Sequence, residues 1–110
     1  MTTFDDREQA FEKKFAHDQD LKFRAEARRN KLLAEWAASK LAISGPALQD
    51  YVKAVVRADL LEKGDEDVFR KIRNDFDAGG VAVADADIRR MMVEFLAMAV
   101  SEIEGSGRSA

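Results

Sequence analysis

Helix-breaking residues are scarce in this chain, and they fall at three points. One proline and six glycines serve 110 residues. "SGPALQ" at 44–49 reads as a helix start. Ser44 or Gly45 can cap it, and Pro46 suits a first turn, where an N–H would have no partner anyway. "EKGDED" at 62–67 is the second break: Gly64 suits the left-handed position after a helix, and Asp65 the N-cap of the next. "FDAGGVAVADAD" is the third. There Gly79 and Gly80 end a helix, Val81 and Val83 tuck inward as a short extended link, and Asp85 caps the last helix. "EGSGRSA" reads as a frayed tail over 105–110.

Between the breaks, apolar residues recur at i, i+3 and i+4. One segment carries Leu48, Tyr51, Val52, Val55, Val56, Leu60 and Leu61. The next carries Val68, Phe69, Ile72 and Phe76, and the last Ile88, Met91, Met92, Phe95, Leu96, Ala99 and Ile103. Ahead of the proline, a helical pattern covers about 21–42, with Leu21, Ala25, Leu32 and Trp36 on one side and Leu33, Ala37 and Leu41 beside them. No segment alternates as a strand would. Four helices with short loops imply an all-α chain, an antiparallel four-helix bundle over 20–104.

Residues 1–19 stand apart. Phe4, Phe11 and Phe15 lie among charges, within about 40° of one another on a helical wheel. Their face is rotated by about 60–80° from that of Leu21 and Trp36. The stripe stops at "AHDQD", 16–20, which has no large apolar side chain. One reading folds the phenylalanines back on the last helix to complete the bundle. The other makes 1–19 a helix-in-groove ligand, mobile and conditionally helical, that orders on a partner through three aromatic anchors.

Chemistry is sparse. The chain has one histidine, His17, with Asp18 and Asp20 nearby, too few ligands for a metal centre. There is no nucleophile constellation, and "AGGVA" lacks the lysine of a phosphate loop. The acid pairs Asp5–Asp6, Glu66–Asp67 and Asp85–Asp87 sit at expected helix starts, where carboxylates complement the helix dipole. No catalytic residue, metal ligand or cofactor site is assigned. "KFRAEARRNK" concentrates Lys22, Arg24, Arg28, Arg29 and Lys31, but these spread around a helix and the formal charge is −3. That argues for a solvated face, or a patch for an acidic protein, over nucleic acid. Met91, Met92 and Met98, like Trp36, read as core. Absence of cysteine removes disulfides and thiolate zinc, and the acidic N-terminus is unlike a secretory signal. No apolar run is long enough to insert in a membrane.

The stretches FDDRE-x-AFE-x-KFAHD and F-x-AEARRNKLL-x-x-WAA, continuing through "GPALQDYVKAVVRADLLEKGDEDVFRKIRNDF", closely resemble the zeta subunits of alphaproteobacterial F-type ATP synthases, an ATPase-inhibitor family. The resemblance implies a cytoplasmic protein, peripherally associated with the inner-membrane ATP synthase. Its N-terminal segment would enter a catalytic interface between alpha and beta subunits near the gamma rotor and block hydrolysis as a wedge. Phe4, Phe11 and Phe15 would anchor, and Asp5, Asp6, Arg7, Glu8, Glu12, Lys13 and Lys14 would pair with charges of the head. Arg24 to Lys31 would add docking contacts. A structural adaptor or accessory subunit binding through its bundle is the alternative. Weak adenine-nucleotide binding by the bundle is left open, because no phosphate loop localises it.

Overall fold

The computed structural model describes residues 19–59 and 65–109, with side chains described as far as Gly105. Four helices follow in chain order: α1 (Gln19–Lys40), α2 (Pro46–Ala58), α3 (Glu66–Ala78) and α4 (Asp85–Ser109). Side-chain bonds tie the helices together: Asn30 of α1 meets Asp59 at the end of α2, Tyr51 of α2 meets Asp75 of α3, Glu66 of α3 meets Arg89 of α4, and Arg28 of α1 meets Glu102 of α4. The four-helix architecture therefore matches the sequence pattern. Residues 1–18, with Leu60, Leu61 and Gly64, lie outside the described residues.

α1 is the hub. It is rich in Ala, Leu, Arg and Lys, all strong helix formers. Leu33, Ala34 and Ala37 are wholly buried in the main core with Val55, Val68, Ile72, Phe76 and Ile88. Alanines on several sides let neighbouring helices approach closely. Leu32 and Trp36, assigned to one apolar face by spacing, end up only partly buried, because the buried face is centred on Leu33, Ala34, Ala37 and Ala38. Trp36 lies edge-on to Phe76, ring centroids 5.5 Å apart at 78°. A second, smaller cluster joins Leu21 and Ala25 of α1 to Leu96, Ala99, Val100 and Ile103 of α4.

The breaks behave largely as their chemistry dictates. Gly45 is the N-cap of α2 at φ 64°, ψ −145°, a conformation open essentially to glycine, with Pro46 in the first turn. α3 ends with Gly80 at φ 69°, while Val81 N–H reaches back to the Phe76 carbonyl at 2.9 Å. α1 ends the same way, Ile43 N–H to the Ala38 carbonyl at 2.9 Å, but the left-handed residue is Ala42 at φ 59°. A Cβ there costs about 1 kcal/mol. Ala42→Gly is therefore expected to stabilise the bundle by up to about 1 kcal/mol, read as a higher midpoint in chemical denaturation.

Two caps differ from expectation. Asp65 holds the N-cap position of α3, yet its side chain makes no capping bond and instead accepts from Arg29. Asp85 is already the first residue of α4, where the Ala84 carbonyl accepts from Ile88 N–H. The Asp85 carboxylate is drawn off by Arg73, which also donates to Asp77 and to the Val83 carbonyl at 2.6 Å. In both cases a cation from another element outcompetes local N–H groups, because a charge-assisted bond is the stronger one. Arg73 thereby fastens the Val81–Val83 link, whose valines pack on the core. Past Gly105, where the bundle was expected to give way to a frayed tail, α4 continues to Ser109.

Candidate functional site

The ten residues expected to contact a partner, Phe4, Asp5, Asp6, Arg7, Glu8, Phe11, Glu12, Lys13, Lys14 and Phe15, all lie outside the described residues. What the structure builds is the mount to which they are joined. α2 ends and α3 begins level with the middle of α1: Asn30 Nδ2 donates to Asp59 at 2.9 Å and Arg29 Nη2 to Asp65 at 3.0 Å. Beyond that level the small cluster pairs residues 19–28 of α1 with the C-terminal part of α4 alone. Arg28 closes this two-helix arm with a 2.8 Å bond to Glu102. The bond holds the Glu102 carboxyl below its usual range and raises the guanidinium. Both groups are substantially exposed, so the pair adds little stability.

The hinge between arm and bundle is polar and buried. Arg29 is 1% exposed and Asn30 likewise. Arg29 Nε donates to Asn30 Oδ1 at 2.8 Å, so one chain of bonds runs Asp65–Arg29–Asn30–Asp59. No buried side-chain N or O among the described residues is left without a partner. The basic run thus does not act as a unit. Arg29 is structural, Arg28 is spent on α4, and Arg24 makes only a loose 3.7 Å pair with Asp20. The spacing contains the signal: Arg29 is four residues from Ala25 and four from Leu33, both wholly buried.

Acids outnumber cations at this hinge. Burial foremost, then Asp65, raises the Glu26 carboxyl, against the opposing pull of Arg29 and Lys22. Burial likewise raises Asp59, against the bond from Asn30 and the charge of Arg29, with Asp65 and Asp67 adding to the rise. Asp59 also sits at the C-terminal end of α2, where a negative charge opposes the helix dipole. A carboxyl raised in the folded state destabilises it when ionised, and the penalty fades as pH falls through the raised pKa. Asp59→Asn can still accept from Asn30. It is expected to be more stable than the parent at pH 7, by about 0.5 kcal/mol. Denaturation midpoints across pH should show this gap closing in the acid range.

A shallow cleft opens on the other side of α1, about 190 Å³, lined by Trp36, Lys40, Asp87, Arg90 and Met91. It joins an indole to two cations, with Arg90 3.5 Å from Asp87. No group of three or more acids or histidines that would hold a metal occurs among the described residues. No helix among them is long and apolar enough to cross a membrane.

A family model described as ATPase inhibitor subunit zeta matches residues 1–102. The chain belongs to this family. Its members are inhibitor subunits of the ATP synthase and not catalysts, and the match takes in the N-terminal segment as well as the bundle. A structure titled "Solution NMR structure of the protein" is 37% identical and superimposes with a TM-score of 0.68. The alignment covers 78% of this chain and 98% of that one. No curated protein matches the chain.

Proposed function

We propose that this zeta-family chain inhibits ATP hydrolysis by inserting residues 1–19 into a catalytic alpha/beta interface of the ATPase head, near the gamma subunit. The supporting observation is the family match over 1–102, which includes a segment with phenylalanines at 4, 11 and 15, a spacing that would put them on one face of a helix. A helix seated in an interface that must open during hydrolysis opposes the opening by its differential affinity for the closed state. The arm of α1 and α4 sets its distance from the bundle. The protein would work in the cytoplasm, attached to the membrane complex only through the head. Hydrolysis by the matching purified head, with full-length chain and with residues 1–19 removed, tests this. Inhibition by the full-length chain alone is expected. Equal inhibition by both would transfer the effect to the bundle, the adaptor reading.

Weak adenine-nucleotide binding, in the same proposal, belongs in the Trp36–Arg90 cleft. Trp36 lines the cleft beside Lys40 and Arg90, whose charges suit a phosphate, while Asp87, paired with Arg90, opposes it. The cleft is smaller than the 300 Å³ or so at which ligand pockets begin, so a nucleotide would stay largely solvated there and its binding would be weak.

A further inference from the structure

The hinge at the base of the arm holds one acid that its chain of bonds leaves out. Glu26 lies one turn before Arg29 and Asn30 on the same side of α1, so it adjoins both residues that fix the ends of α2 and α3. It is half-buried. Yet Arg29 gives Nε to Asn30 and Nη2 to Asp65, Asn30 gives Nδ2 to Asp59, and no side-chain donor among the described residues bonds to Glu26. The charges acting on it come from all three helices that meet there. Lys22 and Arg29 belong to α1, Asp59 to the end of α2, and Asp65 to the start of α3. Asp59 in turn faces Arg29, Asn30, Asp65 and the buried Asp67.

We propose that Glu26 is a proton switch for this hinge: ionised, it loosens the seating of the α2 end and the α3 start on α1, and protonated, it tightens that seating. As a carboxylate it repels Asp59 and Asp65 and competes with them for Arg29, the buried guanidinium they share. A proton removes the charge and gives Glu26 an O–H to donate among neighbours that are acceptors. The attraction of Arg29 is then left to the two acids that hold the helix ends.

The direction of the switch follows from linkage. Burial foremost, then Asp65, raises the Glu26 carboxyl, and burial raises Asp59. A carboxyl raised in the closed hinge holds its proton more tightly there than in the open one. Falling pH therefore favours closure, from the raised value down to the ordinary carboxyl range, below which nothing more is gained. The exposed pairs run the opposite way. Arg28 lowers Glu102 and Arg89 lowers Glu66, so those bonds hold down to the ordinary carboxyl range and weaken below it. Above that range the hinge alone of these contacts tightens with acid. The switch belongs to the base of the arm and stands whether or not residues 1–19 are the inhibitory element.

Amide exchange on the full-length protein between about pH 7.5 and about pH 5, corrected for the intrinsic pH dependence of exchange, tests it without any ATPase. Protection at Ala58, Asp59 and Phe69 is expected to rise about three- to tenfold as pH falls, while Leu33 and Ile72 in the core stay unchanged. Glu26→Gln should show the acid level of protection already at neutral pH and lose most of the dependence; adding Asp59→Asn should remove the rest. His17 is the chain's one histidine and ordinarily titrates in this range, so His17→Gln should leave the dependence intact. In the unaltered chain, the side-chain carbon shift of Glu26 should titrate above the ordinary carboxyl range, and lower in Asp59→Asn. Flat or falling protection, a dependence that survives Glu26→Gln, or an ordinary Glu26 midpoint would each overturn the proposal. Loss of the dependence in His17→Gln would overturn it by moving the proton to the histidine. An equal rise at Leu33 and Ile72 would overturn it by making the effect one of the whole bundle.

Discussion

Replacing Arg29 with alanine is expected to lower the unfolding free energy by about 2–4 kcal/mol, through the lost packing of a buried side chain and the loss of its bonds to Asn30 and to Asp65, whose carboxylate stays 45% exposed. Arg29 is 1% exposed, and its guanidinium is the cation that Asp65 accepts from at 3.0 Å. Taking it away leaves the Asn30 carbonyl oxygen without its donor. The acids Asp59, Asp65 and Glu26 would then face one another at a hinge where burial already opposes the charge of two of them. A domain of this size has about twice that stability in all, so the melting temperature should fall by about 10 °C or more. Arg29→Met separates charge from volume. It keeps most of the stem packing and should still lose most of the stability. Arg29→Lys should recover little, because one ammonium nitrogen cannot occupy both of the separate positions from which Nε reaches Asn30 and Nη2 reaches Asp65. Denaturation midpoints of the three variants decide the matter. A methionine variant as stable as the parent would show that the hinge needs only filling.

The helices were readable because their signals are local: glycine and proline where the chain turns, apolar spacing between. The four-helix count and the inward Val81–Val83 link follow from those signals alone. Arg29 was not readable from composition. In a run of five cations an arginine looks like solvent-facing surface, and its burial depends on Asp65, 36 residues away, supplying a carboxylate. The caps at Asp65 and Asp85 went astray for the same reason, since a local preference was overridden by a distant guanidinium. Only the periodicity linking Ala25, Arg29 and Leu33 pointed inward. Phe23 is the mirror case: an aromatic within a helix that ends up exposed, in the part of α1 beyond the level of Asn30, where α2 stops.

Phe11→Asp is expected to abolish inhibition, raising the concentration needed for half-inhibition by about 100-fold or more, as loss of a central aromatic anchor worth some 2–4 kcal/mol would. Phe11 is the middle of the three aromatic positions, so a carboxylate there would be buried in the interface with the least access to water. The bundle should remain folded, because α1 to α4 already enclose a core of their own around Leu33, Val55, Ile72, Phe76 and Ile88. The single tryptophan reports on this directly, since Trp36 sits edge-on to Phe76 inside the bundle and its emission should not change. A fully inhibitory Phe11→Asp chain would sink the aromatic wedge. Loss of inhibition together with a shifted tryptophan emission would instead place Phe11 in the folded core of the bundle.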